Sequence, residues 1–389
     1  MGHYNFEGRP KVRLTYLSTA GIPSYAANGV QTFQMCAAFA RQTESLQLIC
    51  LAPEAELRGQ DPFSFYGARE HFDIHCLSRR HVSLARARTI PFALALKARS
   101  NGADGIYTRD VRTCFFATMM GIPSALELHS MDKLRGAFDR QAFRRLLASE
   151  ALQGVVVISD ALRQDVVDAF PHAQAVTIVE HDAAVPVPSH TEPLDLHPRS
   201  ARQRQERAAL VVGYVGGLYP GKGFEFIVQL ARLAPWADFH VAGRHNRLLD
   251  EQLGSLPGNL QLHGFLQPAD GDRFRIACDV LLAPYSSVVA THGGKGDIAR
   301  WMSPLKIFEY MAAGRAMVVS DLPVLNEILT PNETAILAPV NDVDAWRKAL
   351  ELLREDYVTR NRLGALALQR FLATHTYEAR ARRLLTQLF

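Results

Sequence analysis

The stretch PVPSHTEPLDLHPRSARQRQERA (residues 186–208) decides how the rest of this chain is read. Four prolines fall within thirteen residues, and an Arg/Gln-rich run without an apolar period follows. Neither helix nor strand continues through such a composition, which marks an interdomain linker. The chain has 389 residues, and at roughly 100–200 residues per domain it holds about two domains, one on each side of that stretch.

Working outward, both sides show the same alternation. On the N-terminal side, KVRLTYLS (11–18), LQLICLAP (46–53), GIYTRD (105–110), SALELHS (124–130) and VVVIS (155–159) read as strands, with helices over 30–40 and 160–170. On the C-terminal side, ALVVGYVG (209–216), FHVAG (239–243), LQLHG (260–264), DVLLAP (279–284) and AMVVSD (316–321) read as strands, with helices over 224–234 and 304–313. From 344 to 389 the pattern is helical, with a break near 374–376. Strands alternating with helices predict an α/β fold, a parallel sheet covered on both faces in each half. In open sheets of this kind ligands bind beyond the carboxyl ends of the strands, so two facing halves predict a ligand cleft between them.

Composition excludes several classes. Hydrophobic residues make up 48% and the formal charge is only +4, so the chain is neither disordered nor a dense basic binder of nucleic acid. No apolar run approaches the ~20 residues of a membrane span. The opening MGHYNFEGRPK lacks an apolar signal segment, and Phe6 stands where a myristoylation signal wants Ser or Thr. The five cysteines are scattered and never spaced as CxxC, which predicts reduced, mostly buried thiols, no metal site and a cytoplasmic protein.

Four segments carry candidate chemistry. GYVGGLYPGKG (213–223) follows a strand and places Lys222 among Gly216, Gly217, Gly221 and Gly223. Glycines permit close backbone approach, and a lone lysine suits a phosphate. The spacing fits neither a Walker loop nor GxGxxG, and a plain strand–helix turn with an exposed lysine is the alternative. SPLKIFEYMAAG (303–314) offers Ser303 as N-cap, Pro304 at the first helical position and Gly314 as a stop. The free amides of that helix suit an anion. Glu309 sits beside an apolar face, where it can accept two ribose hydroxyls or merely pair with Lys306. AGIPSYAANGVQTF (20–33) is a long loop that opens a helix at Val30 after Asn28-Gly29. His129 ends a strand and can bond a substrate hydroxyl or serve as a core histidine, and Glu127 shares its face.

These segments, in their order and spacing, resemble the family-4 retaining glycosyltransferases of GT-B fold. The Asn-Gly-Val loop, the strand ending in His129 and VVVISDALRQDV (155–166) are similar to features of the family's N-terminal domain. GYVGGLYPGKG, FHVAG, HGFLQ (263–267), ACDVLLAPYSS (277–287), SPLKIFEYMAAGRAMVVSD (303–321) and LNEIL (325–329) follow in family order. The resemblance implies two Rossmann-like doubly wound domains, 1–186 and 209–375, joined by a linker over 187–208, with a helix over 376–389 packing back on the first. It implies a nucleotide diphosphate sugar as donor substrate, with no further cofactor and no metal. Gly29 would approach the diphosphate, Lys222 would neutralise it, and the amides of Leu305 and Lys306 would hold it. Glu309 would bind the ribose, His129 the transferred sugar, and Arg244 and Phe265 would line the nucleobase.

Two positions depart from the family pattern. Trp301 stands where the first glutamate of a Glu-x7-Glu pair is frequent, so Ser303 or the loop 291–297 would take over a sugar contact. Gly217 stands where an arginine is frequent, and Lys306, before Arg244, Lys295 or Arg300, is the expected substitute cation. The acceptor would be a glycan, glycolipid or small molecule. The stretch RRHVSLARARTIPFALALKAR (79–99) holds six basic and no acidic residues among apolar ones, which suits either peripheral docking on an anionic membrane or a solvated helix face. A non-catalytic nucleotide-sugar-binding protein and a nucleotide-sugar epimerase are the rival readings.

Overall fold

A computed structural model describes residues 12–78, 89–196, 209–218, 221–244, 256–289 and 297–389. It divides into two compact units, Met1–Ala183 with Tyr377–Phe389, and Ala184–Thr376.

The N-terminal unit is built on a seven-stranded sheet in the order β3-β2-β1-β4-β5-β6-β7. The strands are β1 (Arg13–Gly21), β2 (Ser45–Leu51), β3 (Asp73–Leu77), β4 (Gly105–Thr108), β5 (Ser124–Leu128), β6 (Leu152–Val157) and β7 (Thr177–Val179). Every pairing is parallel. The central strands are buried on both faces, which is why they read as continuous apolar runs. The chain order reverses between β1 and β4, so the switch point of a doubly wound sheet lies there. The helix Ala27–Ala40 begins three residues before the expected Val30.

The last helix of the chain, Tyr377–Leu388, completes this unit's core. Tyr377, Ala381, Leu384 and Leu388 pack with Tyr16, Phe33, Phe39 and Tyr107. Strand glycines make room for it. A Cβ on Gly105 would meet the Phe389 ring at 2.7 Å, and one on Gly154 would meet Leu388 at 2.6 Å.

The C-terminal unit carries a six-stranded sheet in the order β10-β9-β8-β11-β12-β13. Its strands are β8 (Leu210–Val215), β9 (Ala237–Ala242), β10 (Leu260–Gly264), β11 (Val280–Ala283), β12 (Ala316–Ser320) and β13 (Ile336–Ala338), again all parallel. Its switch point lies between β8 and β11. Of the expected linker, 197–208 lie outside the described residues. The preceding residues pack on this unit: the Leu194 amide donates to the Arg273 carbonyl at 3.1 Å, and Leu196 is buried in its core. Two leucines in a proline-rich stretch are enough to hold it down.

The edge strands β3, β7 and β13 were absent from the sequence pattern. Two are three residues long and the third is partly exposed, too little for a periodic signal. No helix among the described residues is long and apolar enough to cross a membrane.

Candidate functional sites

In the C-terminal unit, the predicted phosphate loop sits at the switch point. β8 leads into Gly216, whose φ of +154° and close neighbours exclude a side chain. A Cβ there would meet Lys306 Nζ at 2.9 Å. Gly221 (φ +81°) and Gly223 (φ +88°) lie flat on the turn after β11, where a Cβ would meet the Val288 carbonyl at 2.2 Å or the Pro284 carbonyl at 2.0 Å. These glycines are needed twice over, for conformation and for space. They hold Lys222 with its Nζ 5.3 Å from the centre of the Tyr285 ring.

Lys306 approaches the same ring. Its Nζ lies 5.2 Å from the Tyr285 centroid and 3.6 Å over the Tyr214 ring. It is buried and finds no hydrogen-bond acceptor among the described residues. Burial, reinforced by the charge of Lys222 and opposed by Glu309, pushes its pKa well down. Burial brings Lys222 down to about 8. Two lysine amino groups thus share one aromatic wall with no carboxylate paired to either among the described residues. Such an arrangement costs free energy until an anion arrives.

Lys306 lies in the first turn of the helix Leu305–Ala312. The expected N-cap is corrected here. Pro304 occupies that position with extended backbone and offers no capping side chain, so Ser303 stands one residue outside. Pro304 has no amide to offer and its fixed φ ends the extended approach. Glu309, on the same helix, does not pair with Lys306. Its Oε2 accepts from Arg275 Nη1 at 3.2 Å, and Arg275 is held in turn by Asp272 at 2.6 Å. Arg275 was missed because it sits 34 residues away in sequence. It fixes the carboxylate and leaves Oε1 for another donor.

Arg244 and Phe265 follow the adjacent strands β9 and β10, and the guanidinium stacks 5.2 Å from the half-exposed ring. Gly217 lies two residues past the end of β8, and its carbonyl accepts from the Tyr214 hydroxyl at 2.9 Å. The loop residues 291–296, including Lys295, lie outside the described residues. Trp301 is half-buried, its amide bonded to the Ile298 carbonyl at 3.0 Å.

In the N-terminal unit, Gly29 and His129 occupy different surroundings. Gly29 is in the first turn of Ala27–Ala40, and its amide donates to the Ala26 carbonyl at 2.9 Å. Its lack of a side chain is fixed by packing: a Cβ would meet the Tyr66 hydroxyl at 2.9 Å and Ser24 Cβ at 3.1 Å. That hydroxyl clamps Ser24, accepting from its amide at 2.6 Å and donating to its carbonyl at 2.9 Å.

His129 bonds through Nε2 to Glu127 Oε1. Burial and the Arg109 charge hold the imidazole pKa below its ordinary value, so the ring is neutral at pH 7 and Nδ1 is the atom left for a partner. Glu127 is fully buried. Gln31 Nε2 donates to its Oε1 at 2.9 Å, and the Tyr107 hydroxyl and Arg380 Nη2, at 3.1 Å, donate to its Oε2. Burial alone would raise its pKa, but Arg380, His129 and Arg109 hold it well below the ordinary range. Glu127, His129 and Asp182 present ligand atoms within 4.8 Å of one another, close enough for a metal ion. Each Glu127 oxygen already accepts two donors, however, and a cation would have to displace them beside two guanidiniums. The cluster is a charge-balanced polar network. Beyond the carboxyl ends of β2 and β4 the same unit has a cleft of about 360 Å³, lined by Leu51, Ile90, Asp110, Arg112, Lys133 and Asp139.

Residues 222–386 match the glycosyl transferase-like family. Over 224 residues the chain is 28% identical to a phosphatidyl-myo-inositol mannosyltransferase of Mycolicibacterium smegmatis, covering 54% of this chain and 52% of that one. The chain therefore spans about half the length of this curated relative. Among solved structures, Anabaena HepE in complex with UDP and glucose superposes with a TM-score of 0.69 at 16% identity, covering 97% of this chain and 99% of that one. Sucrose-phosphate synthase from Thermosynechococcus elongatus gives 0.66 at 16% identity, covering 96% and 98%. The chain has the GT-B fold, and its residues 222–386 carry the sequence signature of the glycosyl transferase-like family.

Proposed function

We propose that the protein is a retaining, family-4 glycosyltransferase that moves a sugar from a nucleotide diphosphate sugar to an acceptor hydroxyl. The observation that carries this reading is the pair Lys222 and Lys306, two desolvated cations on one aromatic wall at the switch point of the C-terminal sheet. The main barrier in such a transfer is charge building on the departing diphosphate. Preorganised cations aimed at that charge stabilise it without reorganisation, typically by ~3–4 kcal/mol each. Lys306 supplies the cation that Gly217 does not. The first-turn amides of Leu305 and Lys306 add dipole to the same anion. Glu309, held by Arg275, accepts from the ribose hydroxyls, and the Arg244–Phe265 stack faces the nucleobase. His129, neutral and with Nδ1 left over, accepts from a hydroxyl of the transferred sugar. With two lysines and a helix end on the diphosphate, the reaction needs no metal, and the leaving phosphate takes the acceptor proton.

The acceptor reading is a glycan, glycolipid or small molecule, with the lipid-linked class supported by the mannosyltransferase relative. A peripheral contact with an anionic membrane on the cytoplasmic side is supported by the helix Ile90–Ser100, where Phe92 and Leu96 are 44% and 49% exposed beside Lys97 and Arg99. Residues 79–88 of that basic stretch lie outside the described residues.

The test is a panel of nucleotide sugars read first by thermal shift. A ligand at 100 times its Kd stabilises by about 2.7 kcal/mol. The donor that shifts the melting point should then be hydrolysed slowly alone, with EDTA present, and transferred to an acceptor with retained anomeric configuration by NMR. Binding without turnover supports the silent binder instead. Release of nucleotide without any acceptor product supports the epimerase.

A further inference from the structure

The edge of the N-terminal sheet holds a pair of side chains that the transfer reaction does not use. Cys50 on β2 and Cys76 on β3 are register partners, 26 residues apart in sequence. Their sulfurs lie 3.7 Å apart. Cys50 is buried and Cys76 is exposed, whereas Cys36, Cys114 and Cys278 are all buried. β3 is the outermost strand, so one sulfur of the pair meets solvent and the other sits behind it.

That division is the one a redox-active dithiol requires: an accessible sulfur that attacks and a sheltered sulfur that resolves. Adjacent strands run about 4.7–4.9 Å apart, inside the 4.4–6.8 Å Cα separation a disulfide spans. Closing the bond therefore needs side-chain rotation and no new backbone path. The chemistry of the two sulfurs agrees. With Cys50 as donor, the hydrogen bond between the two sulfurs brings the Cys76 thiol down to about 7, toward the reactive thiolate form. That same hydrogen bond, with burial, pushes Cys50 up and keeps it protonated. A metal is a poor fit, because the one cluster of three ligands among the described residues contains no sulfur.

We propose that Cys50 and Cys76 form a reversible intramolecular disulfide, making the outer edge of this sheet a site of exchange with low-molecular-weight disulfides. The Cys76 thiolate attacks one sulfur of the external disulfide. Its S–S bond breaks and the first thiolate leaves, taking a proton from water. Cys50 gives up its proton to water, and its sulfur attacks Cys76 in the mixed disulfide and expels the second thiolate. The second thiolate takes up the proton that Cys76 had released to solvent, so the protein dithiol is oxidised by two electrons and one external disulfide becomes two thiols.

The experiment uses the full-length reduced protein with glutathione disulfide at neutral pH, followed by denaturing alkylation and intact mass spectrometry. The protein should lose two of its five alkylatable thiols, carry no glutathione, and yield on digestion a peptide joining positions 50 and 76. Cys50→Ala should trap one glutathione on Cys76, and Cys76→Ser should leave every remaining thiol alkylatable. Five free thiols after treatment, a lasting glutathione adduct on the native chain, or a bond joining another pair would each overturn the proposal. Mass is the readout, so the outcome is independent of the proposed transfer reaction.

Discussion

The two polar clusters of this protein are buried to a similar degree and are opposite in their electrostatics. Around Glu127 the negative charge is matched by Arg380 and Arg109, and the carboxylate oxygens are filled by donors. Around Lys306 the positive charges accumulate, and no acceptor among the described residues answers them. A paired network stabilises its own geometry. An unpaired one holds interaction energy in reserve for a ligand. The difference predicts that the same kind of substitution will have opposite consequences in the two units.

The largest effect should come from breaking the paired cluster. Arg380→Met leaves Glu127 as a buried charge without its main partner, and such losses cost about 3–5 kcal/mol. Chemical denaturation should show a drop of that order. A drop under about 1 kcal/mol would mean the network does not hold the unit together.

Lys222→Ala should lower kcat with the true donor by about 100-fold, the effect of removing one preorganised charge from a developing anion. A fall of less than tenfold would remove Lys222 from the proposed charge stabilisation.

Lys306→Met sharpens the comparison most directly. It should raise the melting temperature of the free protein, because a buried amino group without a hydrogen-bond partner is replaced by an apolar chain of similar length. It should also shrink the thermal shift given by a nucleoside diphosphate. A free-protein melting point that falls by several degrees would show that Lys306 is paired after all.

The smallest effects are in pH. Glu127 and His129 have depressed pKa values in the fold, so their contribution is present near pH 7 and is lost on acidification, that of His129 beginning below about pH 6.5 and that of Glu127 below about pH 4.5. Lys222 is depressed to about 8, so the free protein should gain stability as the pH climbs from there toward the ordinary lysine value. Diphosphate affinity should fall over that same climb, as the lysine loses its proton. Melting curves from about pH 3 to 10.5, with calorimetric titrations above about pH 7 (roughly the window these groups set), measure these slopes.

Much of this was legible in the sequence for a physical reason. Apolar runs broken by glycine loops report a parallel sheet, and glycines flanking Lys222 report a backbone that must pass close to something. Glu127 and His129 were placed on one face by strand period alone, and they touch. Legibility failed wherever partners are brought together by topology. Arg380 reaches Glu127 across 253 residues, and Arg275 reaches Glu309 across 34. Cys50 and Cys76 meet only because β3 pairs with β2, and β3 was itself too short and too exposed to be seen. Arg109 left one usable signal, its place immediately after β4.

The final helix has a consequence in time. Residues 377–389 belong to the N-terminal unit, yet they are made after the whole of the C-terminal unit. Until they arrive, the sheet that was synthesised first has an open apolar face at Gly105 and Gly154 and a buried glutamate without its arginine. The second unit can close on itself while the first still waits. The N-terminal unit is therefore begun first but can be completed only after the C-terminal unit has been made, and the Glu127 network waits with it.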